Sequence, residues 1–175
     1  MNKLLIKESV IPWLVLTMKD ADEYSNVKII GTFGDNNEYP LVTCAINKER
    51  PLTNWYSGLL AFDHVRSSRT VLYKSLFNIQ LNVYADIDDE TNRIAEILVD
   101  KIREKKHTLR IRDHGDEATT DKPGDSEDDV IRVEEIRDDI VTGDPKPVNL
   151  SGVKKFMCQV IVPIKLYEVK TITRS

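Results

Sequence analysis

An α+β fold, in which a helix packs on one face of a β-sheet, is the fold class that this sequence predicts. Three segments carry the prediction: an alternating polar and apolar run at residues 70–85, an amphipathic helix pattern at residues 88–106, and a second alternating run at residues 154–169. A period of two indicates a strand with one buried face, and a stripe repeating every three to four residues indicates a helix. The chain has 175 residues, enough for a self-sufficient core. We therefore expect a single α+β domain over residues 1–175, with a mixed or mainly antiparallel sheet.

The N-terminal segment also predicts a helix, over residues 4–22. Proline lacks a backbone N–H and its ring clashes with the preceding turn, so Pro12 is unfavourable inside a helix and tolerated in the first turn. A second interpretation therefore makes Ser9 the N-cap, with the helix beginning near Ile11. The expected apolar side of the helix carries Leu5, Val10, Trp13, Leu14 and Met18.

No membrane span is expected in this segment. Its uninterrupted apolar run, Val10–Leu16, is much shorter than the roughly 20 residues that a membrane-spanning helix needs. Lys7 and Glu8 interrupt the run and no small-residue cleavage site follows, so a secretion signal is not expected either.

Two β-type runs, residues 27–33 and 41–46, are separated by the turn-rich sequence GDNNEYP. This arrangement predicts a hairpin with a long loop. Residues 47–69 show no clear period and predict mostly loop and short elements. Short strands are predicted at residues 108–112 and 130–133.

The helix pattern at residues 88–106 has matching signals at both ends. Asp88 or Asp89 can cap the N-terminus, and acidic residues in the first turn suit the positive end of the helix dipole. Basic residues gather at the C-terminal end, where the dipole favours cations. We expect the helix to contact the sheet through Ile94, Ala95, Leu98 and Ile102.

The C-terminal strand has one apolar face and contains a proline. Because Pro163 cannot donate to a β-ladder, it predicts an edge position or a bulge. The residues expected to share the buried face are Phe156, Cys158, Val160, Val162, Ile164 and Leu166.

Residues 113–129 hold much of the negative charge of the chain. They contain eight acidic residues and one lysine, a net charge of −7, so the rest of the chain carries +3 of the overall −4. The segment lacks apolar side chains to bury, and we expect an acidic, mobile loop. Three roles stay open for it: a solvated loop, a cation site that uses His114, or a segment that docks on a basic partner.

No arrangement of residues predicts catalysis. The histidines lack sequence partners typical of a catalytic or metal site, and no Gly-rich phosphate loop, GxSxG or HExxH motif occurs. Cys44 and Cys158 lie in separate strand-like runs and are interpreted as buried, reduced thiols, because disulfide scaffolds are richer in cysteine than this chain. A Cys44–Cys158 bridge stays open only if their strands are neighbours. We expect no enzyme activity, no catalytic residue, no metal and no cofactor.

Aromatic and basic residues of the 47–69 region are the other candidates for a functional role. Trp55 and Tyr56 either pack over the edge of the core or anchor a protein interface. Arg66 and Arg69 form a basic patch that is too small to predict nucleic-acid binding. The candidate partner-interface residues are Trp55, Tyr56, Arg66, Arg69, Asp121 and Asp125.

The order of elements resembles that of a viral protein family. The strand IQLNVYA leads directly into the acidic-capped helix DDETNRIAEILVDKIREKK, and a loop and the long strand GVKKFMCQVIVPIKLYEV close the chain. With a helix at Ser9–Tyr24, this order is similar to the tail-completion and tail-terminator proteins of long-tailed bacterial and archaeal viruses. The acidic segment at 113–129 departs from the compact pattern of that family.

The resemblance implies a virion structural protein. It implies a homo-oligomeric, usually hexameric, ring that caps the head-proximal end of the tail tube and contacts both the tail tube protein and the head connector. It also implies that genomic DNA passes through the lumen without specific binding. The implied location is the virion, and the host cytoplasm during assembly.

Two other functions stay open. A head-closure or connector adaptor protein has the same size and the same lack of catalytic motifs. A cation- or ligand-binding domain that uses the acidic loop is the other alternative.

Overall fold

The computed structural model of the chain describes residues 3–33, 37–51, 59–63, 68–111 and 130–173. Within these residues there are two α-helices and eight strands, and the strands form one mixed sheet. The predicted α+β fold is therefore confirmed. The predicted mobile loop at 113–129 lies outside the described residues, and a single domain over the whole chain stays a prediction.

The strands follow the order β1-β2-β4-β8-β5 across the sheet, while β3 pairs with β4 and both β6 and β7 pair with β8. Among these pairings β1–β2 is parallel, and the others are antiparallel. The elements are α1 Lys3–Met18, β1 Lys28–Ile30, β2 Leu41–Pro51, β3 Leu59–Asp63, β4 Ser68–Ala85, α2 Asp88–Lys105, β5 Val130–Ile136, β6 Val141–Thr142, β7 Lys146–Leu150 and β8 Val153–Thr173.

The β4–β8 pair forms the centre of the sheet. It runs without a register shift from Ser68 opposite Thr173 to Ala85 opposite Phe156. At about 3.3 Å per residue, the 18 residues of β4 extend over roughly 60 Å. This pair is therefore much longer than the helices that cover it.

Both helices pack on the same face of the sheet, α1 over β1 and β2 and α2 over β4 and β8. Alternate residues of the strands point into this layer, and the apolar stripe predicted for α2 is confirmed. Five of the six residues predicted to share the buried face of β8 are buried, and Phe156 is half-buried. The strand residues in the core include Val42, Cys44, Ile46, Phe77, Ile79, Leu81, Val83, Cys158, Val160, Val162, Ile164 and Leu166.

Helix α1 begins at Lys3 and contains Pro12 in its interior. The interpretation in which the helix starts near Ile11 is therefore wrong, and Ser9 is no cap: it is buried and its Oγ donates to the Leu5 carbonyl at 3.0 Å. Pro12 faces solvent, so its ring does not disturb the core. Burial of the opposite side, which includes Trp13 and Leu14, offsets the hydrogen bond that proline removes.

The N-cap of helix α2 is Ile87, which has an extended backbone, and the helix begins at Asp88. Neither Asp88 nor Asp89 is the N-cap, so that prediction is wrong, although both lie in the first turn where the dipole favours them. Thr91 Oγ1 donates to the Ile87 carbonyl at 2.7 Å, and Asp88 Oδ1 accepts from the backbone N–H of Asp89 at 2.9 Å.

The predicted hairpin between the first two strands is wrong, because β1 and β2 are parallel, with Lys28 opposite Leu41. A parallel neighbour requires the chain to return to the starting end of the first strand. Since β1 spans three residues, the segment 31–40 is long enough for that return.

Residues 47–69 contain more strand than predicted. Strand β2 continues to Pro51, β3 occupies Leu59–Asp63, and β4 starts at Ser68. The sequence Lys48-Glu49-Arg50 has no apolar alternation, and the register shifts between Lys48 and Arg50. Backbone hydrogen bonds to β4 hold this segment in a strand. Because these bonds do not depend on the side chains, they leave no periodic pattern in the sequence.

The strand predicted at residues 108–112 is also wrong for the part that is described. Residues 106–108 form a single 3-10 turn, and residues 109–111 are not a strand. Arg110 Nη1 donates to the carbonyls of His107 and Leu109, at 3.0 Å each, while the Leu109 side chain is fully buried. Trp13 Nε1 donates to Thr108 Oγ1 at 2.9 Å and so joins α1 to this turn.

Strand β8 has partners on both sides along its length, but no strand pairs with Pro163 on the side away from β4, so Pro163 occupies an edge position, one of the two predicted alternatives. The other alternative, a bulge, does not occur in the continuous register with β4. The Pro163 carbonyl accepts from the Arg137 N–H at 2.9 Å, so the backbone polar groups of Pro163 face away from β4. On that side β5 ends at Ile136 and β6 begins at Val141. Proline is tolerated here because no strand is paired at that position.

Candidate assembly surfaces

The structure describes the backbone of one of the six predicted interface residues. Arg69 lies in β4, opposite Phe62 of β3 and Ile172 of β8. The other five, which lie outside the described residues, are Trp55, Tyr56, Arg66, Asp121 and Asp125. The structure therefore does not bring the predicted set together, and the interface they predict stays a prediction.

Part of the sheet extends past the helix-covered residues of β4 and β8. The β4–β8 ladder continues past Ser75 opposite Leu166, which holds the last core side chain of this ladder among the side chains that the structure describes, and ends at Ser68 opposite Thr173. These further pairs extend over roughly 23 Å at about 3.3 Å per residue. We call this part the β-arm, defined as β3, residues 68–74 of β4 and residues 167–173 of β8.

The β-arm has backbone groups at an open edge. Strand β3 pairs with β4 from Leu59 opposite Val71 to Asp63 opposite Ser68, and no further strand of the described residues pairs with β3. An edge strand carries a row of N–H and C=O groups that can pair with a strand of another chain. The β-arm is therefore suited to contacts that extend the sheet across a subunit boundary.

A polar stripe crosses the face of the sheet opposite the helices. It lies on three neighbouring strands, since Thr43, Asn82 and Gln159 are register partners in β2, β4 and β8. Alternation places these side chains opposite the core residues. The members of the polar stripe are Thr43, Asn47, Asn78, Gln80, Asn82 and Gln159.

Hydrogen bonds connect most of the polar stripe. Asn47 Nδ2 donates to Gln80 Oε1 at 2.8 Å, and Asn82 Oδ1 accepts from Gln80 Nε2 at 3.4 Å and from Gln159 Nε2 at 3.3 Å. Asn82 Nδ2 donates to Thr43 Oγ1 at 3.4 Å. The stripe is uncharged and offers amide groups on the face of the sheet opposite the helices.

Asn78, a member of the polar stripe, and Tyr84, which lies beside the stripe, have side-chain polar groups whose environment is affected by burial. Asn78 Oδ1 is buried and has no hydrogen-bond partner among the described residues, which costs about 1–3 kcal/mol for a buried acceptor. Burial raises the pKa of Tyr84, and hydrogen bonds with Thr43 and Asn82 oppose that shift. Tyr84 also makes an edge-to-face contact with Phe33, with 5.1 Å between ring centroids.

Ion pairs accompany the polar stripe on the same face. Lys74 Nζ lies 2.7 Å from Glu134 Oε1, Lys165 Nζ lies 2.7 Å from Glu135 Oε2, and Lys155 pairs with Asp86. Because each lysine has a carboxylate beside it, these cations are neutralised locally. Such a face suits protein contacts better than phosphate binding, which requires an excess of cations.

A cleft of about 250 Å³ lies between the 3-10 turn at residues 106–108 and strand β5. Lys106 Nζ in its wall lies 2.8 Å from Asp138 Oδ1, and this hydrogen bond lowers the pKa of the Asp138 carboxyl. Among the described residues, no group of three or more His, Cys, Asp or Glu side chains is placed to hold a metal ion. The proposed cation ligand His114 lies outside those residues.

The two cysteines are free, buried and separated by β4, as expected for reduced thiols. Cys44 is opposite Leu81, which is opposite Val160, so β2 and β8 are not neighbours and the two thiols cannot form a bridge. Burial raises the pKa of Cys44 to about 12 and also raises the pKa of Cys158. Neither thiol is therefore an activated nucleophile.

The sequence contains a signal for part of the polar stripe, and for the β-arm it indicates only that the predicted strands reach residues 70–74 and 167–169. Gln80 and Asn82 alternate with Ile79, Leu81 and Val83, which indicates a polar sheet face. Thr43 and Asn47 join that face only through the β2–β4 register. The β-arm depends on pairing between segments about 100 residues apart, which no local pattern specifies.

No protein-family model matches this chain, and a search of curated proteins finds no significant match. Neither helix within the described residues combines the length and apolar character that crossing a bilayer requires. The functional interpretation therefore depends on the β-arm, the polar stripe and the order of elements along the chain.

Proposed function

We propose that this chain is a virion structural protein that forms a ring, caps the head-proximal end of a tail tube and joins it to the head connector. The observation that carries the proposal is the β-arm, in which the central strand pair continues in register past the last core side chain that the structure describes on it. We infer that this extension contributes little to the core of its own subunit. Its length is explained if it contacts a neighbouring subunit.

In the proposed ring, the β-arm of each subunit contacts the next subunit through the β3 edge. Such a contact is heterologous, since the two subunits use different surfaces, and heterologous contacts close into rings when the rotation allows it. Main-chain hydrogen bonds between strands supply affinity, and the side chains of the arm supply specificity.

The polar stripe supports the second part of the proposal, contacts with tail tube and connector proteins. Its amides are linked to one another and its neighbouring lysines are paired with carboxylates. A neutral surface of this kind forms hydrogen bonds with a protein partner and attracts DNA phosphates weakly. That property suits a protein that contacts partners while DNA passes nearby.

The order of elements supports the family named in the proposal. An N-terminal helix, a strand leading directly into an amphipathic helix, and a long C-terminal strand occur in the order that the resemblance requires. An enzymatic role has no comparable support, because no described cluster of residues offers a metal site and both thiols are buried.

The ring can be tested with the purified full chain by mass photometry over a concentration series and by negative-stain imaging. We expect ring-shaped particles of about six subunits. Leu60→Lys, which places a charge at the register shift of β3, is expected to reduce ring formation, since edge lysines oppose strand pairing. Ile87→Lys, at a residue 58% exposed and outside the β-arm, is the matched control that keeps the ring.

The capping role can be tested by polymerising the tail tube protein of the same virus with and without this chain. Shorter tubes that carry extra density at one end support the proposal. A chain that stays monomeric and leaves tube length unchanged contradicts it, and binding to the connector without binding to the tube favours a head-closure adaptor. Thermal melting of each variant separates loss of the ring from loss of the fold.

A further inference from the structure

Helix α1 is apolar on the side that faces away from the sheet as well as on the buried side. Leu4 is 61% exposed, Leu16 59% and Val15 40%, and Pro12 is also exposed. A helix that covers a sheet normally has a polar outer side, and a helix that is apolar all round is normally buried. The outer face of α1 therefore has the composition of a covered surface.

Two opposite charges lie near the ends of this apolar surface. Lys19, the first residue after the end of α1, lies 11 residues, or about three helical turns, after Glu8, which places it close to the side of the helix that carries Glu8 and Pro12. Both are exposed, and within the described parts of the chain neither has an ion-pair partner. Along the helix axis this face therefore carries an acidic residue, then apolar residues, then a basic residue.

This charge pattern is complementary to itself when the helix direction is reversed. In two antiparallel copies related by a two-fold axis near residues 13 and 14, Glu8 of each copy faces Lys19 of the other. Pro12, Val15 and Leu16 of both copies then meet between the two pairs. A two-fold contact uses the same surface on both subunits, which is the property this face has.

Pro12 adds an acceptor at the same end. Because proline has no N–H, the Glu8 carbonyl lacks the donor that the residue four positions later normally supplies. An ammonium group has three donors and can bond both this carbonyl and the Glu8 carboxylate. The position of Glu8 thus favours a lysine from outside the subunit.

We propose that a second copy of this chain covers the outer face of α1 in an antiparallel, two-fold helix contact with Glu8–Lys19 pairs at both ends. This contact is separate from the ring contact of the β-arm. A helix of 16 residues is about 24 Å long, and two such faces bury less than the roughly 1,200 Å² of small interfaces, so the association is weak and reversible. If rings form, the same contact pairs two rings.

Sedimentation equilibrium of the full chain tests the contact through a charge exchange. Glu8→Lys and Lys19→Glu are each expected to weaken the two-fold association about tenfold or more, since each places like charges opposite one another. The double variant Glu8→Lys/Lys19→Glu is expected to restore it. Asp100→Lys, the same charge change at an exposed site on α2, is the control and leaves association unchanged.

Each outcome bears on one proposal. Single rings or monomers in the wild type at all concentrations, unchanged association in the single variants, or failure of the double variant to restore it would overturn the α1 contact. Dimers that depend on Glu8 and Lys19 in a chain that forms no ring would support the contact and contradict the ring. Circular dichroism of every variant confirms that the helix is intact.

Discussion

The two halves of the β4–β8 ladder share the same strands and differ in what covers them. In residues 75–85 and 156–166, helices pack on one face and side chains alternate between buried and polar. In the β-arm the ladder continues in register past Leu166, the last core side chain of β4 and β8 that the structure describes. The backbone pairing is the same in both halves, so hydrogen bonding alone does not distinguish them. Among the arm side chains whose burial the structure describes, Tyr73, Lys74, Tyr167 and Glu168, none is a buried apolar residue, whereas buried apolar side chains line the helix-covered half.

The helix-covered half is expected to respond most strongly to truncation. Leu98→Ala removes a side chain that is 0% exposed between α2 and the sheet, and the resulting cavity is expected to cost about 2–5 kcal/mol of unfolding free energy. Urea denaturation measures this value. A cost below about 1 kcal/mol would contradict the packing of α2 on the sheet.

A buried thiol in the same half makes stability depend on alkaline pH. Burial raises the pKa of Cys44 from 9.0 to about 12, so the folded state keeps the proton that the unfolded state loses. The contribution is present below pH 9 and is lost as the pH rises from 9 towards 12, by at most about 1.4 kcal/mol per pH unit. Denaturation midpoints of the wild type and Cys44→Ala between pH 8 and pH 10.5 check this dependence.

The variant Cys44→Ala is expected to be less stable than the wild type at pH 8 and to lose less stability on going to pH 10.5. Equal slopes for both proteins would show that the Cys44 thiolate is tolerated in the folded state. Reaction of Cys44 with a thiol reagent in the native protein at neutral pH would lead to the same conclusion.

The polar stripe allows a second test within the helix-covered half of the ladder, because it lies on the face of the sheet opposite the helices. Asn78→Val removes a buried acceptor without a described partner and places a β-branched residue in a strand, so it is expected to raise the unfolding free energy by about 1 kcal/mol. Asn82→Ala, which breaks three hydrogen bonds of the stripe, is the contrasting variant and is expected to lower stability. Denaturation of both measures the difference. A loss of stability in Asn78→Val would show that Asn78 Oδ1 is satisfied.

The smallest effect is expected in the β-arm. Tyr73 is 38% exposed, and Tyr73→Ala is expected to change the unfolding free energy of the isolated subunit by about 0.5 kcal/mol or less. Urea denaturation at low concentration, where subunits are separate, measures it. A loss comparable to that of Leu98→Ala would make the arm part of the core and remove the contrast between the halves.

The sequence predicts the helix-covered half of the ladder well, because an element that buries one face has apolar residues at regular intervals along the sequence. The stripe Ile94, Ala95, Leu98 and Ile102 and the alternation of Ile79, Leu81 and Val83 depend on local periods, and the structure confirms both. The polar face of β4 was visible in the same alternation.

Other features depend on contacts that local patterns do not encode. The parallel pairing of β1 is set by a return of the chain, and Pro12 is accepted within α1 because tertiary burial outweighs its local penalty. Pro163 itself predicts an edge position, but the gap between β5 and β6 that provides it is set by those strands. Five of the six predicted interface residues lie outside the described residues, so the interface prediction stays untested.

The central claim, that the β-arm is an assembly surface, can be measured directly by hydrogen–deuterium exchange of the full chain at low and high concentration. We predict that peptides covering residues 59–74 and 167–173 exchange more slowly at high concentration, while peptides covering residues 77–85 and 156–164 do not change. Equal exchange of the β-arm at both concentrations, in a sample that light scattering shows to be assembled, would contradict the claim.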